Sequence, residues 1–186
     1  MCMMRILLVV VAFFVGSTWC KLTHAFDYNI IDPDQEPEAH CLAQNILFES
    51  STEPMVGKIA VGLVVLNRVN DARYPDTICG VVKQGPEYES WKTRQDETLD
   101  DEDRIYYPVK NRCQFSWYCD GQSDDIIATE NWYKAQIVAL QLLDGKFKGL
   151  IEGATHYHAS WVSPAWRHEL TYIGQVGDHL FYRWEN

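Results

Sequence analysis

Residues 39–69 read AHCLAQNILFESSTEPMVGKIAVGLVVLNRV, a stretch that holds two helices and a sharp break between them. Leu42, Ala43, Ile46 and Leu47 recur at helical spacing, and Glu49 falls seven residues after Leu42, on the same face as that apolar stripe. Ser50-Ser51-Thr52 are poor interior residues and Pro54 restricts what precedes it, so the first helix ends soon after Glu49. A second helix, capped by Thr52 or nearby, presents Val56, Ile59, Ala60, Leu63 and Leu66 as one stripe through to Val69. Upstream, Pro33–Pro37 is a polar entry with Asp34 as the expected cap and Pro37 in the first turn.

Downstream, Tyr74-Pro75-Asp76 reads as a loop and Thr77–Gln84 as a short helix. Gly85-Pro86 then opens an acidic insertion, 85–112, in which Asp96–Asp103 holds six acids in eight residues; it reads as a solvated loop and not as a core element. Cys113–Tyr118 fits a short strand or a bridged loop. Thr129–Leu143 is a helix with Trp132, Ala135, Ala139 and Leu143 on its apolar face, ended by Gly145. After that the helical period is lost. Thr155–Ala159 alternates, and Thr171–Val176 and Leu180–Trp184 flank Gly177-Asp178 as a hairpin. The expected class is α+β, N-terminal helices followed by a small antiparallel sheet, with no internal repeat.

The chain has 186 residues, 47% of them apolar and 13% aromatic, which suits one compact domain or at most two small ones and excludes a disordered or low-complexity chain. Its net charge of −10 argues against nucleic acid as a partner, because phosphate binding depends on Lys and Arg. Residues 1–25 stand apart: Arg5 precedes the unbroken apolar run Ile6–Val15, and Thr23-His24-Ala25 places small residues where a signal peptidase reads. Ten apolar residues are too few to span a bilayer, which takes about 20. A secretory signal peptide cleaved near Ala25 is expected, with a buried N-terminal helix or an uncleaved anchor as alternatives. The mature chain, 26–186, is then an exported monomer in the periplasm or cell wall, with no stable membrane span. Losing Arg5 and Lys21 leaves 14 bases against 26 acids, a net charge of −12.

Four cysteines remain in the mature chain, an even number that suits an oxidising compartment. Three pairings are possible. A local Cys113–Cys119 bridge is the simplest, which leaves Cys41–Cys79; closing that loop is worth about 4 kcal/mol in the loop-entropy account. No C-x₂-C pair occurs, so a zinc site is not expected.

Glu49 is the most informative polar residue. Beside Ile46, Leu47 and Phe48 its carboxyl should resist ionisation and could serve as a general acid near neutral pH; a solvated helix-end glutamate is the plain alternative. Glu53, the nearest carboxylate, would lie beside Glu49 on a continuous helix and could not approach a sugar ring from the opposite side, so it reads as an acid favoured near a helix N-terminus. Thr155-His156-Tyr157-His158 puts His156 and His158 on one side of a strand and Tyr157 on the other, available for substrate contact or structural hydrogen bonds. A metal there would need His179 or His40 as a third ligand. Gln114-Phe115-Ser116-Trp117 sets an amide and a hydroxyl beside aromatic rings, which suits a carbohydrate groove and equally suits core packing. Ser116 lacks a G-x-S-x-G setting for acyl transfer.

Taken together, several segments resemble the spore-cortex-lytic, SleB-like cell wall hydrolases. Cys41–Glu49 with Gly57, Ala60-Val61 and Val65–Val69 looks like that family's opening, continued by Tyr74–Val82 and Gln84. Cys113–Trp117 with Asp120-Gly121 resembles its middle motif. Ala154–Ala159, Val162, Pro164–Trp166, Ile173-Gly174 and His179–Arg183 resemble its end. The resemblance implies a lysozyme-like single domain acting on peptidoglycan glycan strands. Glu49 takes the place of the first acid of the family's E-A-R-G-E motif and Glu53 that of the second, while Ser50-Ser51-Thr52 replaces the intervening A-R-G. The acidic insertion is longer than the family norm.

With one carboxylate in view, the resemblance implies a lytic transglycosylase in which Glu49 protonates the MurNAc–GlcNAc bridging oxygen and the sugar's own 6-hydroxyl closes a 1,6-anhydro ring. No cofactor or metal is called for. Gln114, Ser116, Tyr157, His158 and His156 are the expected substrate contacts. A water-using muramidase or glucosaminidase, an amidase and a non-catalytic wall-binding module are the competing readings; a wall-remodelling enzyme and a viral endolysin would share this chemistry. An enzyme at −12 is repelled by an anionic glycan, so its rate on purified sacculi should rise as salt goes from very low to moderate; a flat or falling rate contradicts this.

Overall fold

The computed structural model describes residues 27–185, so the expected signal peptide lies outside the described residues. Helices α1 (Pro37–Ser50), α2 (Met55–Val69) and α3 (Ile78–Val82) come first. The insertion follows with β1 (Glu87–Glu89), α4 (Trp91–Arg94) and β2 (Tyr106–Pro108). Then come α5 (Glu130–Leu143) and three strands, β3 (His156–Ala159), β4 (Thr171–Val176) and β5 (His179–Arg183). The last three form an antiparallel sheet in the order β3-β5-β4. The expected α+β class, helices before a small antiparallel sheet, is what the chain adopts.

α1 packs against α2, α3 and α5, and Leu42, Ile46, Val64, Val138 and Phe181 are fully enclosed where helices and sheet meet. Gly62 permits that close approach: a Cβ there would sit 2.5 Å from Leu142 Cδ1 and 2.9 Å from Ile46 Cδ1. The entry segment is tied to α5 by Gln136, which accepts from the Ile30 and Ile31 amides at 2.9 and 3.0 Å and donates to the Tyr28 carbonyl at 2.6 Å. Disulfides join Cys41 to Cys79 and Cys113 to Cys119, the two pairs the sequence suggests. The first ties α1 to α3.

Local details depart from expectation. Glu36, not Asp34, stands at the N-cap position of α1, without a side-chain cap bond, and Pro37 takes a first position where a missing N–H costs nothing. Asp34 instead donates its amide to Asp32. Pro54, not Thr52, precedes α2, because residues 51–53 are used by the turn. Of the two forms open to residues 113–119, the chain takes the bridged loop, with a 3-10 turn at Ser116–Cys119. The insertion is more than a loop: β1 pairs antiparallel with β2, and Ser90 and Thr93 are buried beneath them. Arg104 binds Glu89 at 2.8 Å and the Leu99 carbonyl at 3.1 Å. The acids of Asp96–Asp103 are exposed, as their density requires.

The break after α1 is held from across the chain. Lys58 of α2 is 3% exposed, and its Nζ donates to the Ser50 carbonyl and, at 3.0 Å, to that of Ser51. A buried cation thus satisfies the orphan carbonyls at the helix end and answers its partial negative charge. Charged hydrogen bonds of this kind are worth roughly 1.5–3 kcal/mol. Lys58→Met should therefore lower Tm by several degrees in a thermal melt; a change under about 1 °C would show that the carbonyls find other partners.

Candidate active site

Glu49 lies in the last turn of α1, half-buried, with Phe48 before it and Asn45 one turn back. The Tyr157 hydroxyl, from β3, donates to Glu49 Oε2 at 2.8 Å. Burial raises the Glu49 pKa, while the Tyr157 hydrogen bond and the Arg68 charge pull against the rise without cancelling it. Burial also drives the Tyr157 phenol far above its usual range, so it remains a neutral donor.

Arg68 escaped the sequence reading as a site residue. It sits on α2, 5% exposed, with its guanidinium 5.2 Å from the Tyr74 ring centroid and 5.1 Å from that of Phe115. Its Nε donates to the Thr155 carbonyl at 2.8 Å, and Asn67 Nδ2 donates to the Ala154 carbonyl at the same distance. These two bonds pin the start of β3 to α2 and thereby place Tyr157 over Glu49. The available signal was a cation inside an apolar helix, which is seldom buried without a task.

Glu53 lies past the end of α1, which stops at Ser50, and so is not on one continuous helix with Glu49. It is buried at the tip of the β4–β5 hairpin, where both carboxylate oxygens accept the Asp178 amide at 3.2 Å and Oε1 lies 3.4 Å from His179 Nδ1. Gly177, at φ +57°, leaves room for it: a Cβ there would fall 1.8 Å from Glu53 Oε2. The second acid of the motif locks the hairpin. Burial lowers the His179 pKa even beside this acid. The Tyr157 ring meets His179 edge-on at 5.0 Å, so the hairpin lock also buttresses Tyr157.

Strand alternation separates the expected contacts. Tyr157 faces the helices with Phe181 and His179. His156 and His158 occupy the other face, against Trp166 and Tyr182, with His158 Nε2 3.1 Å from the Tyr182 hydroxyl. Neither imidazole has a hydrogen bond or ring contact with Glu49; their partners are Thr155, the Ala159 carbonyl, Tyr182 and Trp166. Burial, with Arg68 and Arg73 nearby, pushes His156 down to about 4, so it is neutral at working pH. Gln114 and Ser116 are exposed on the bridged loop, whose Trp117 stacks on Phe48 at 4.6 Å and donates to Asn45 Oδ1 at 3.1 Å. On the other side, Leu47, Phe48 and Ser51 line a hollow of about 320 Å³ with Asp125, Ile127, Thr129 and Asn131. Among the described residues, no three His, Cys, Asp or Glu side chains are grouped to hold a metal ion.

The described residues thus form an α+β domain with a helix-end glutamate held under a sheet tyrosine. The chain belongs to the cell wall hydrolase family, whose model matches residues 52–182. It is similar to the spore cortex-lytic enzymes of Halalkalibacterium halodurans (44% identical over 41 residues) and Bacillus cereus (35% over 54). The matched segments are 22% and 29% of this chain but span only 12% and 21% of those relatives. Its fold resembles the catalytic domain of the Bacillus cereus SleB protein, with TM-score 0.52, 22% identity, and coverage of 80% of this chain and 91% of that one. The catalytic domain of the germination-specific lytic transglycosylase SleB from Bacillus anthracis gives 0.53, 22%, 83% and 98%.

Because the ionised form of Glu49 is the costly one, the folded state loses stability as pH rises from below the ordinary value of 4.5 through the raised pKa. Glu49→Gln removes that cost while keeping an oxygen for the Tyr157 hydroxyl. Its Tm should exceed wild type at pH 7.5 and converge with it below pH 4; a lower Tm at pH 7.5 would mean that the carboxylate is stabilised.

Proposed function

We propose that the chain cleaves the MurNAc–GlcNAc bond of peptidoglycan as a lytic transglycosylase, with Glu49 as acid and then base. The observation that carries this reading is the partly buried Glu49 under the Tyr157 hydroxyl, its pKa raised by burial, with the neighbouring Glu53 committed to the hairpin. Tyr157 occupies Oε2 and leaves Oε1 to carry the proton. In the reaction Glu49 gives that proton to the bridging oxygen as the bond from the MurNAc anomeric carbon breaks. The 6-hydroxyl of the same MurNAc attacks that carbon and passes its proton to the Glu49 carboxylate. The acid is regenerated, no water is consumed, and the product ends in a 1,6-anhydro ring.

Gln114 and Ser116, exposed beside Trp117, are the contacts we assign to substrate; the face holding His156 and His158 is not part of this site. Export fits the same reading: residues 1–25 are a signal peptide cleaved near Ala25, and 26–186 act as a monomeric domain in the cell wall. Hydrolysis by water is a second reading, favoured by Asp125, which lines the same hollow as Phe48 and Ser51 and could hold a water as base.

Digestion of purified sacculi tests both. Wild type should release muropeptides lighter by one water than hydrated ends, and Glu49→Gln should lose at least 10²-fold in rate, the scale of a lost general acid. Hydrated ends with loss of turnover in Asp125→Asn favour the second reading. Full turnover by Glu49→Gln would sink both.

A further inference from the structure

The insertion places aromatic rings where the catalytic reading gives them no task. Tyr88 on β1 stands opposite Tyr107 on β2, their rings 5.9 Å apart and tilted by 40°. They are 55% and 47% exposed, an unfavourable arrangement for side chains that only pack. With Pro108, Tyr118 and the turn through Gly121-Gln122 they line a hollow of about 230 Å³, with Lys110 at its edge. An isolated two-stranded ribbon is marginal in water, but this one is tied down. The Val109 amide donates to Pro86 at 2.8 Å, Gln114 to Gln84 at 2.8 Å, and Asn111 to Cys119 at 2.9 Å beside the Cys113–Cys119 bridge. The rings are thus held in place before any ligand arrives.

A chain of ring contacts links this hollow to the candidate active site. Phe48, next to Glu49, stacks on Trp117; Trp117 meets Tyr118 edge-on at 6.1 Å; and Tyr118 lines the hollow beside Tyr88 and Tyr107. Burial, with Glu87 and Asp124 nearby, raises the Tyr118 pKa, so its hydroxyl stays a neutral donor. Ring faces flanked by phenol hydroxyls, the Gln122 amide and an ammonium suit pyranose rings, whose C–H faces stack on aromatics and whose hydroxyls need partners. Lys110 adds a cation on a strongly acidic chain, where an anionic sugar would need one.

Resting on the function proposed above, we infer that the insertion carries a distal glycan subsite: Tyr88, Tyr107 and Tyr118 stack sugar rings of the same strand away from the scissile bond, and Lys110 pairs with the lactyl carboxylate of a MurNAc that carries no peptide stem. The subsite makes the enzyme prefer long strands over short fragments.

The test measures binding by calorimetry in the Glu49→Gln background, so that turnover does not intrude, using peptide-stripped glycan strands and the GlcNAc–MurNAc disaccharide. Glu49→Gln should bind strands at least tenfold more tightly than disaccharide. Adding Tyr88→Ala and Tyr107→Ala should cut that preference at least fivefold, while Tyr88→Phe with Tyr107→Phe should hold it within twofold because the ring faces remain. Lys110→Ala should weaken strand binding most at low salt. Strand affinity of the alanine variant within twofold of its parent overturns the subsite and leaves the catalytic reading intact. A parent that binds no strand overturns the subsite, and absence of wild-type turnover with it overturns the catalytic reading as well. Sedimentation of the parent as a dimer that the alanine changes dissociate would assign the tyrosines to a contact between copies, against the proposal.

Discussion

The hydrogen bond from the Tyr157 hydroxyl to Glu49 Oε2 joins the end of α1 to β3, and it exists only when helices and sheet are both in place. Glu49 is local to a helix; Tyr157 arrives from more than a hundred residues later, and nothing in the turn between α1 and α2 could bring it there. The Asn67–Arg68 pair does so, by taking the Ala154 and Thr155 carbonyls and setting where β3 begins. The Arg68 charge also opposes the rise in the Glu49 pKa, so the residue that builds the site limits how far the carboxyl resists ionisation. Buried charge here serves placement and tuning at once, which justifies part of its desolvation cost.

Around this contact the chain replaces what its motif lacks. Ser50-Ser51-Thr52 stands where the resembling family carries A-R-G, and the carbonyls of that turn are met by Lys58 from inside α2. Glu53 keeps its acid but spends it on the Asp178 amide, in a space that only glycine at 177 leaves open. Two acids four residues apart therefore do different work. One has its ionised form disfavoured by burial; the other locks the hairpin that backs the tyrosine.

Much of this was legible in the sequence. The apolar periods of α1, α2 and α5 (apart from Val56 and Leu143, which are exposed), the Gly177-Asp178 hairpin and both cysteine pairs were readable because each is set by local spacing or by elimination among few partners. Glu49 was legible for the same reason, as an acid on an apolar face. The direction of Glu53 was not, since its partners lie more than a hundred residues away. Alternation in Thr155–Ala159 told that His156 and His158 share a side, but not which side meets the helices. The ribbon in the insertion was missed because three-residue strands are too short to show a period, and the acids around them dominate the reading.

The central claim is that Glu49 holds its proton beyond the ordinary glutamate range because the fold withholds water from it. A carboxyl-carbon NMR titration of protein labelled at glutamate, assigned by loss of one signal in Glu49→Gln, measures this directly. The midpoint of that signal should lie above 4.5, and Tyr157→Phe should move it higher still, because the lost hydroxyl is a partner of the carboxylate. A midpoint at or below 4.5, or one that falls when the hydroxyl is removed, would contradict the account.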